Sequence, residues 1–549
     1  MNWILGFLFI LTIIFLYSNY ARKKKKAALK KWLTERWGTS RQKEYFNFYV
    51  IERYFKNNDH KKEAFHIISD KCKNDLDIES IFKFIDRTSS KIGQQYLYFR
   101  LRTIGNLESL LQFSALTVIF QKNKTLSIHC QQLLSKLNYN DSYYLEELFN
   151  GKQIERPTNI WFVKLLSFGS LISIILTFFY PIFSLLIVAI LAVNLFFHYK
   201  NKSNISYYLD GVKQLSKSLN VGKKLADIPE IKTHFKNFEF IKKVSSIQLK
   251  TEFIAFEKNV DNEFAFLFWF VAELFKILFN IEFLIFFSFI DSISEEKEGI
   301  EQLFLFIGEI DAAISTASLK ESTPNSCTPN FTAENKLTAT ELHHPLIEDC
   351  ITNNIDLNAK SMLLTGSNMS GKTTFIRTVA INSILAQTLH ICFGKSYTAP
   401  FYKIYSSIRI TDDLLDETSY YLEEVLTVKE LVEAAKNEQP SLFVLDEIFK
   451  GTNTVERISG GKAILAYLNK PNHTVLVSTH DIELTDLLQK ENYELFHFSE
   501  QIVDETLTFD HKLKAGKLQT RNAIKILELY KYPSEIIEDA RNTKLNNFN

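Results

Sequence analysis

Three apolar blocks interrupt the mixed pattern of the first 300 residues. Trp3–Tyr17 is almost continuously apolar, and Arg22-Lys23-Lys24-Lys25-Lys26 follows closely. A secretory signal carries its positive charge before the apolar run and a small-residue cleavage site after it. The reversed order here predicts an uncleaved transmembrane anchor over residues 1–21. The positive-inside rule puts its start outside and the lysines in the cytoplasm. The basic run then reads as a stop signal at the membrane surface rather than a nucleic-acid patch. The second block, Leu165–Tyr199, is broken at Pro181 into halves of about 16–17 residues, roughly 25 Å as helix, just enough to cross a bilayer core. Lys164 flanks one end and Lys200 and Lys202 the other. This predicts a membrane hairpin over 161–200 with both ends cytoplasmic; the alternative is a buried helical pair in a soluble domain. The third block, Phe264–Ile290, carries Glu273, Lys276 and Glu282. Charges at mid-helix are costly in lipid, and one more crossing would carry everything downstream outside. It is expected to be a buried core helix.

Between the blocks the period is helical. Apolar positions three and four apart recur in Ile81-Phe82-Lys83-Phe84-Ile85 and Tyr96-Leu97-Tyr98-Phe99, and residues 203–322 have charged faces with few Gly or Pro. Glu321-Ser322-Thr323-Pro324-Asn325-Ser326 reads as a linker. Beyond it short β-like runs alternate with amphipathic helical segments, the pattern of an α/β layer on a mainly parallel sheet. The expected fold class is α + α/β. Its divisions are an anchor (1–21), a first helical part (22–160), the hairpin (161–200), a second helical part or lever (201–325) and an α/β domain (326–549). There is no internal repeat.

Composition changes this picture little. With 64 Lys plus Arg against 63 Asp plus Glu, no global field points to nucleic acid. Five cysteines without a CxxC pair read as reduced, structural thiols, and no metal site is expected from them.

The α/β part carries the chemistry. The apolar run Met362-Leu363-Leu364 precedes Gly366-Ser367-Asn368-Met369-Ser370-Gly371-Lys372-Thr373, and a helical pattern starts at Thr374. This is GxxxxGK[ST] between a strand and a helix, the context that a phosphate loop requires. Its glycines let backbone N–H groups turn onto phosphate oxygens, and the helix N-terminus adds a favourable dipole. Lys372 is expected to reach the β- and γ-phosphates of ATP and Thr373 to ligate Mg²⁺. A second strand, Ser441–Leu445, ends in Asp446-Glu447. Asp446 there can hold the Mg²⁺ shell, and Glu447 can orient or deprotonate the attacking water. A third, Thr474–Ser478, ends in Thr479-His480-Asp481, where His480 can contact the γ-phosphate or simply cap the next segment.

The stretches 366–374, 445–453 (Leu-Asp-Glu-Ile-Phe-Lys-Gly-Thr-Asn) and 478–487 (Ser-Thr-His-Asp-Ile-Glu-Leu-Thr-Asp-Leu) together resemble the ATPase domain of the MutS DNA mismatch-repair family. So do Arg409, Asp412-Asp413 and Ser419–Glu424 between them, His344-Pro345-Leu346-Ile347 before the loop, and the tail from Leu513-Lys514-Ala515-Gly516 through Tyr532–Arg541. Upstream, Phe84-Ile85-Asp86-Arg87-Thr88 with Gly93 resembles the start of that family's helical core, and Gly308-Glu309-Ile310-Asp311-Ala312 its end. The resemblance covers roughly 340–545 closely and roughly 75–320 more loosely. It implies an ABC-like ATPase that dimerises through this domain and its closing helical segment. Each site would be completed by the opposite subunit through Thr452, Asn453 and Thr454, residues that could equally cap the following helix. Ser459-Gly460-Gly461 follows the acidic strand end rather than preceding it, and reads as close helix packing.

Departures from the family bear on function. Helical core begins directly after the anchor, where mismatch-reading members carry recognition and connector domains with a Phe-x-Glu wedge. Phe238-Glu239 and Phe256-Glu257 have neither its place nor its spacing. Two outputs remain for an ATPase held at the cytoplasmic face of a membrane (in a bacterium, the inner membrane). One is an ATP-dependent clamp on mismatched or branched DNA. The other is nucleotide-driven motion passed to membrane helices or a membrane partner protein, with no DNA role. A solute transporter is disfavoured, because three crossings without polar residues offer no pathway.

Overall fold

The computed structural model describes all residues except 1, 41–43, 152–159, 248–272, 368, 410–419, 450–451, 504–505, 519–526 and 547–549. The chain divides into two compact units. One holds Met1–Asp59, Asp86–Phe99 and Ala115–Glu321; the other holds His60–Ile85, Arg100–Ser114 and Ser322–Asn549.

The first unit is helical. α1 (Asn2–Arg36) runs unbroken through the expected boundary at 21/22, since no proline or late glycine interrupts the passage from apolar to basic residues. Phe9, Phe15 and Tyr17 on it are exposed. α2 (Lys124–Leu134) starts at Asn123, whose Oδ1 accepts from Leu126 N at 3.0 Å. The Gln132 side chain donates to the Lys26 carbonyl of α1 at 3.1 Å. α3 (Ile160–Thr177) and α4 (Ser184–Ala226) form the hairpin, turning through Pro181–Phe183. α4 does not stop near residue 200 but continues as one helix for 43 residues.

Residues 264–272 of the third apolar block lie outside the described residues. The rest is not one core helix. A helical segment at 273–278 ends at Asn280, whose φ of 49° is left-handed, and α5 (Ile281–Glu295) begins anew. The carbonyls freed at the break are taken up by the hairpin. Leu278 O accepts from Ser170 Oγ and Asn194 Nδ2, both at 2.8 Å, and Phe279 O accepts from Ser167 Oγ at 2.7 Å. Irregular backbone is tolerated in apolar surroundings only when satisfied this way. Val163, Phe283 and Phe287 close the same contact with apolar side chains. Buried Ser170, Ser173 and Asn194 correct the expectation of a hairpin without polar residues.

α6 (Lys297–Ser322) is the unit's central helix. Among the described helices, α3 and α6 are both long and apolar enough to cross a membrane, but burial separates them. The apolar window of α6 is 83% buried inside the protein, against 17% for α3. α6 meets the helix Lys91–Arg102 closely enough that a Cβ on Gly308 would lie 2.5 Å from that of Tyr96. Asp311, three residues on, is fully buried. Its carboxylate accepts from Ser89 N at 2.8 Å, Ser90 N at 2.7 Å and Ser90 Oγ at 2.6 Å. Burial pushes its pKa up to about 7 against the pull of these donors.

The second unit is α/β. Strands β1 (Ser361–Thr365), β2 (Lys403–Ser407), β3 (Ser441–Asp446), β4 (His473–Thr479), β5 (Tyr493–His497) and β6 (Lys514–Ala515) form one sheet in the order β2-β3-β4-β1-β5-β6. All neighbours are parallel except β5 and β6. β1, β3 and β4 are buried along almost their whole length, as their unbroken apolar runs require. The register pairs Asp446 with Ser478 and Thr479 with Thr365, so three strands end level along one sheet edge. Ligands bind at that carboxyl edge in open parallel sheets.

Residues 60–85 and 100–114 pack in this unit rather than with the helical one. Asp75 is the anchor: its carboxylate accepts from Ser406 Oγ (2.7 Å), Ile408 N (3.1 Å) and Arg409 N (2.8 Å), just beyond β2. His66 is also held against β2, bonded to the Ile404 carbonyl at 2.7 Å. Burial lowers its pKa to about 4, opposed by that bond and reinforced by Lys403. The unfolded imidazole titrates near 6.5, so between about pH 6.5 and 4 the unfolded chain binds the extra proton. Stability of this unit is therefore expected to fall as pH drops through that window and to level off below it. Thermal melts of the wild type and of His66→Gln across the range check this; the variant's acid slope is expected to be shallower.

Candidate nucleotide-binding site

The loop between β1 and α7 (Lys372–Leu389) has the backbone its glycines permit. Gly366 and Gly371 sit at φ of 154° and 106°. A Cβ on Gly366 would lie 2.8 Å from Ser370 Oγ and 2.9 Å from Phe498 O, so the first glycine is a steric requirement. Met369, also at positive φ, projects into solvent. Lys372 folds back over the loop: its Nζ donates to Gly366 O (2.8 Å) and Ser367 O (3.0 Å) and lies 3.2 Å from His480 Nε2. The Ser367 and Ser370 hydroxyls are buried without a hydrogen-bond partner. Orphaned donors in a loop with an ammonium at its centre fit a phosphate group.

The level strand ends supply the rest. Asp446 accepts from Thr373 Oγ1 at 2.8 Å through one oxygen and from Ser478 Oγ through the other. An adjacent hydroxyl and carboxylate of this kind suit Mg²⁺, which takes one or two protein oxygens plus substrate phosphates. Glu447 stands at φ 55°, its N–H donating to Ser478 O at 2.8 Å, and its Oε1 is 3.1 Å from His480 Nε2. The strained backbone turns this carboxylate out of the strand and toward β4. Lys372, Thr373, Thr374, Asp446, Glu447 and His480 all line one cavity of about 510 Å³, a volume in the usual range for small-molecule sites.

Asn368 lies outside the described residues, as do Asp412, Asp413 and Ser419. Thr452, Asn453 and Thr454 are not among the cavity's lining residues. Asn453 caps α8 (Thr454–Leu468), its Oδ1 accepting from Glu456 N at 3.0 Å, and Thr452 Oγ1 donates to Glu456 Oε2 at 2.8 Å. The glycines after Ser459 pack closely, a Cβ on Gly461 falling 2.9 Å from Ile448.

Two features escaped sequence reasoning. His511 lines the cavity with Nδ1 3.0 Å from Ser370 O, held by Asn353, which donates to His511 O at 3.0 Å. A lone histidine between short strands has no periodic signal. Asp77 accepts from both terminal guanidinium nitrogens of Arg409 (2.9 and 2.7 Å) and lies 3.6 Å from Arg377 on α7. Arg409 is legible in the motif, whereas its partner is 332 residues away.

Sheet, loop and level strand ends together define a P-loop α/β unit. Residues 362–548 match the family described as MutS domain V. The chain is 31% identical over 274 residues to the DNA mismatch repair protein MutS of Listeria welshimeri, covering 48% of this chain and 31% of that protein. It is 30% identical over 273 residues to the protein of the same name from Staphylococcus aureus, with the same coverage. This half of the chain is MutS-like, and the chain spans about a third of the length of the curated relatives it matches.

Proposed function

We propose that the chain is a MutS-type ATPase that binds ATP with Mg²⁺ and hydrolyses it. One observation carries this: Lys372, Thr373, Asp446, Glu447 and His480 converge at one sheet edge over a loop with two orphaned hydroxyls. In this reading loop residues 366–374 cradle the phosphates, and Lys372 leaves the loop carbonyls for the β- and γ-oxygens. Thr373 and Asp446 hold Mg²⁺, which neutralises charge on the phosphates. Glu447 orients the water and accepts its proton, while His480, beside Glu447 and Lys372, contacts the γ-phosphate. The protein works as a homodimer through the ATPase domain, with Thr452–Thr454 of each copy facing the other's nucleotide.

For the output we propose an ATP-gated clamp on mismatched or branched DNA, tethered to a membrane with the ATPase in the cytoplasm. The names of the relatives and the shared domain support the DNA; the exposed apolar faces of α1 and α3 support the tether. A salt titration of DNA binding by the detergent-purified protein tests it. Phosphate contacts make affinity fall steeply with salt. If neither duplex, mismatched nor branched DNA binds with ATP or ADP, the clamp is excluded. A second reading then holds, in which nucleotide-driven motion acts on membrane helices or a membrane partner. The 43-residue α4, which joins the hairpin to the helical unit without a break, favours it.

A further inference from the structure

The basic run after the apolar part of α1 does not stand alone. Arg22, Lys25 and Lys26 line a cleft of about 1340 Å³ together with Lys136, just after α2, and Lys224, at the last turn of α4. Lys26 and Lys136 are 110 residues apart and Lys136 and Lys224 are 88 apart, so the cleft exists only in the folded unit. Asp227 is the one acid among its lining residues, and none of the five cations is in an ion pair among the described residues. The cations also work against one another: the Lys136 ammonium is held below the usual lysine range by burial and by the neighbouring charges of Lys224 and Lys26. Such a cluster is repulsive as it stands and is relieved by an anion. Leu29, Leu133 and Trp32 give the same cleft an apolar wall.

Its position says which anion. Lys26 follows Tyr20 by six residues, about 9 Å along the helix. That places the cleft at headgroup depth when the apolar part of α1 is in a bilayer. Basic pockets just cytoplasmic of a spanning helix take anionic headgroups. We propose that this cleft binds the phosphate of an anionic phospholipid, with Lys26, Lys136 and Lys224 around the phosphate and Leu29, Leu133 and Trp32 against its glycerol and first acyl carbons. The inference rests on the membrane reading of α1. It goes beyond a stop signal, because Lys136 and Lys224 lie outside the basic run.

Two measurements on the full chain keep these apart. Flotation with phosphatidylcholine vesicles tests anchoring alone; failure to float removes the membrane reading and the inference with it. In detergent, the melting temperature is followed against short-chain phosphatidic acid, short-chain phosphatidylcholine, inorganic phosphate and a DNA duplex. Phosphatidic acid is expected to raise it and phosphatidylcholine not to. In Lys136→Gln/Lys224→Gln the apparent affinity for phosphatidic acid is expected to fall about 10-fold or more, with flotation and ATP binding intact. Unchanged affinity in the double variant overturns the site, leaving only diffuse attraction by the basic run. A shift as large with inorganic phosphate, or a stronger one with DNA that the double variant loses, overturns the lipid as its occupant.

Discussion

Replacing Glu447 by Gln is expected to reduce ATP turnover by about 100- to 10,000-fold, the range lost when a positioned general base is removed, while nucleotide still binds. The substitution keeps the size of the side chain and one oxygen acceptor but removes the basicity. Binding survives because Lys372, the loop hydroxyls and the Thr373–Asp446 pair are untouched. The left-handed backbone at residue 447 is as accessible to Gln as to Glu, so the fold is not the variable. Fluorescent-nucleotide titration alongside phosphate release separates the two effects. A loss of binding equal to the loss of turnover would make Glu447 a structural residue. His480 Nε2 lies 3.1 Å from Glu447 Oε1 and 3.2 Å from Lys372 Nζ, beside the base rather than in its place, so His480→Ala is expected to lower turnover less than Glu447→Gln does.

The largest stability effect is expected at Asp311. Asp311→Ala leaves two backbone N–H groups and the Ser90 hydroxyl buried beside a void. Each stranded donor costs about 1–3 kcal/mol, and partial relaxation brings the total to roughly 3–5 kcal/mol. Trp3, Trp32, Trp37, Trp161 and Trp269 all belong to the helical unit by sequence, so tryptophan fluorescence in urea reports on that unit alone. The expected result is a lower midpoint for Asp311→Ala, with Asp311→Asn in between because its amide retains one acceptor. A midpoint unchanged in the alanine variant would show that water takes over the donors. Gly93 sits beside the same carboxylate, where a Cβ would come within 2.2 Å of Oδ2, so Gly93→Ala is expected to disturb the same network.

The two motifs around residues 84–93 and 308–312 thereby acquire a physical meaning that their sequence alone did not carry. Asp311 on α6 seals the N–H groups opening the helix Lys91–Arg102, and Gly308 lets those helices touch. The resemblance marked both ends of a core, whereas packing shows one carboxylate joining them. The phosphate loop differs. Its glycines, lysine and threonine act within nine consecutive residues, so local chain geometry makes the loop readable in one dimension. Asp446 and His480 were readable nearly as well, because a buried strand ending in a polar residue marks where a parallel sheet presents its carboxyl edge.

What the order of residues determined by itself is therefore whatever depends on neighbours a few positions away. That covers the strand–loop–helix, the buried strands, the switch from helical to α/β texture near residue 322, and the apolar and basic runs of α1. Tertiary structure decided everything that needed distant partners. It put residues 60–85 and 100–114 in the α/β unit through Asp75 and Arg409, and brought His511 over the loop. It broke the third apolar block at Asn280, with hairpin serines and Asn194 to take up its carbonyls, and gathered Lys136 and Lys224 beside Lys26. A hydrogen bond or a charge cluster is satisfied by whichever group the fold delivers, and periodicity along the chain records only which face a residue turns inward, not whom it meets there.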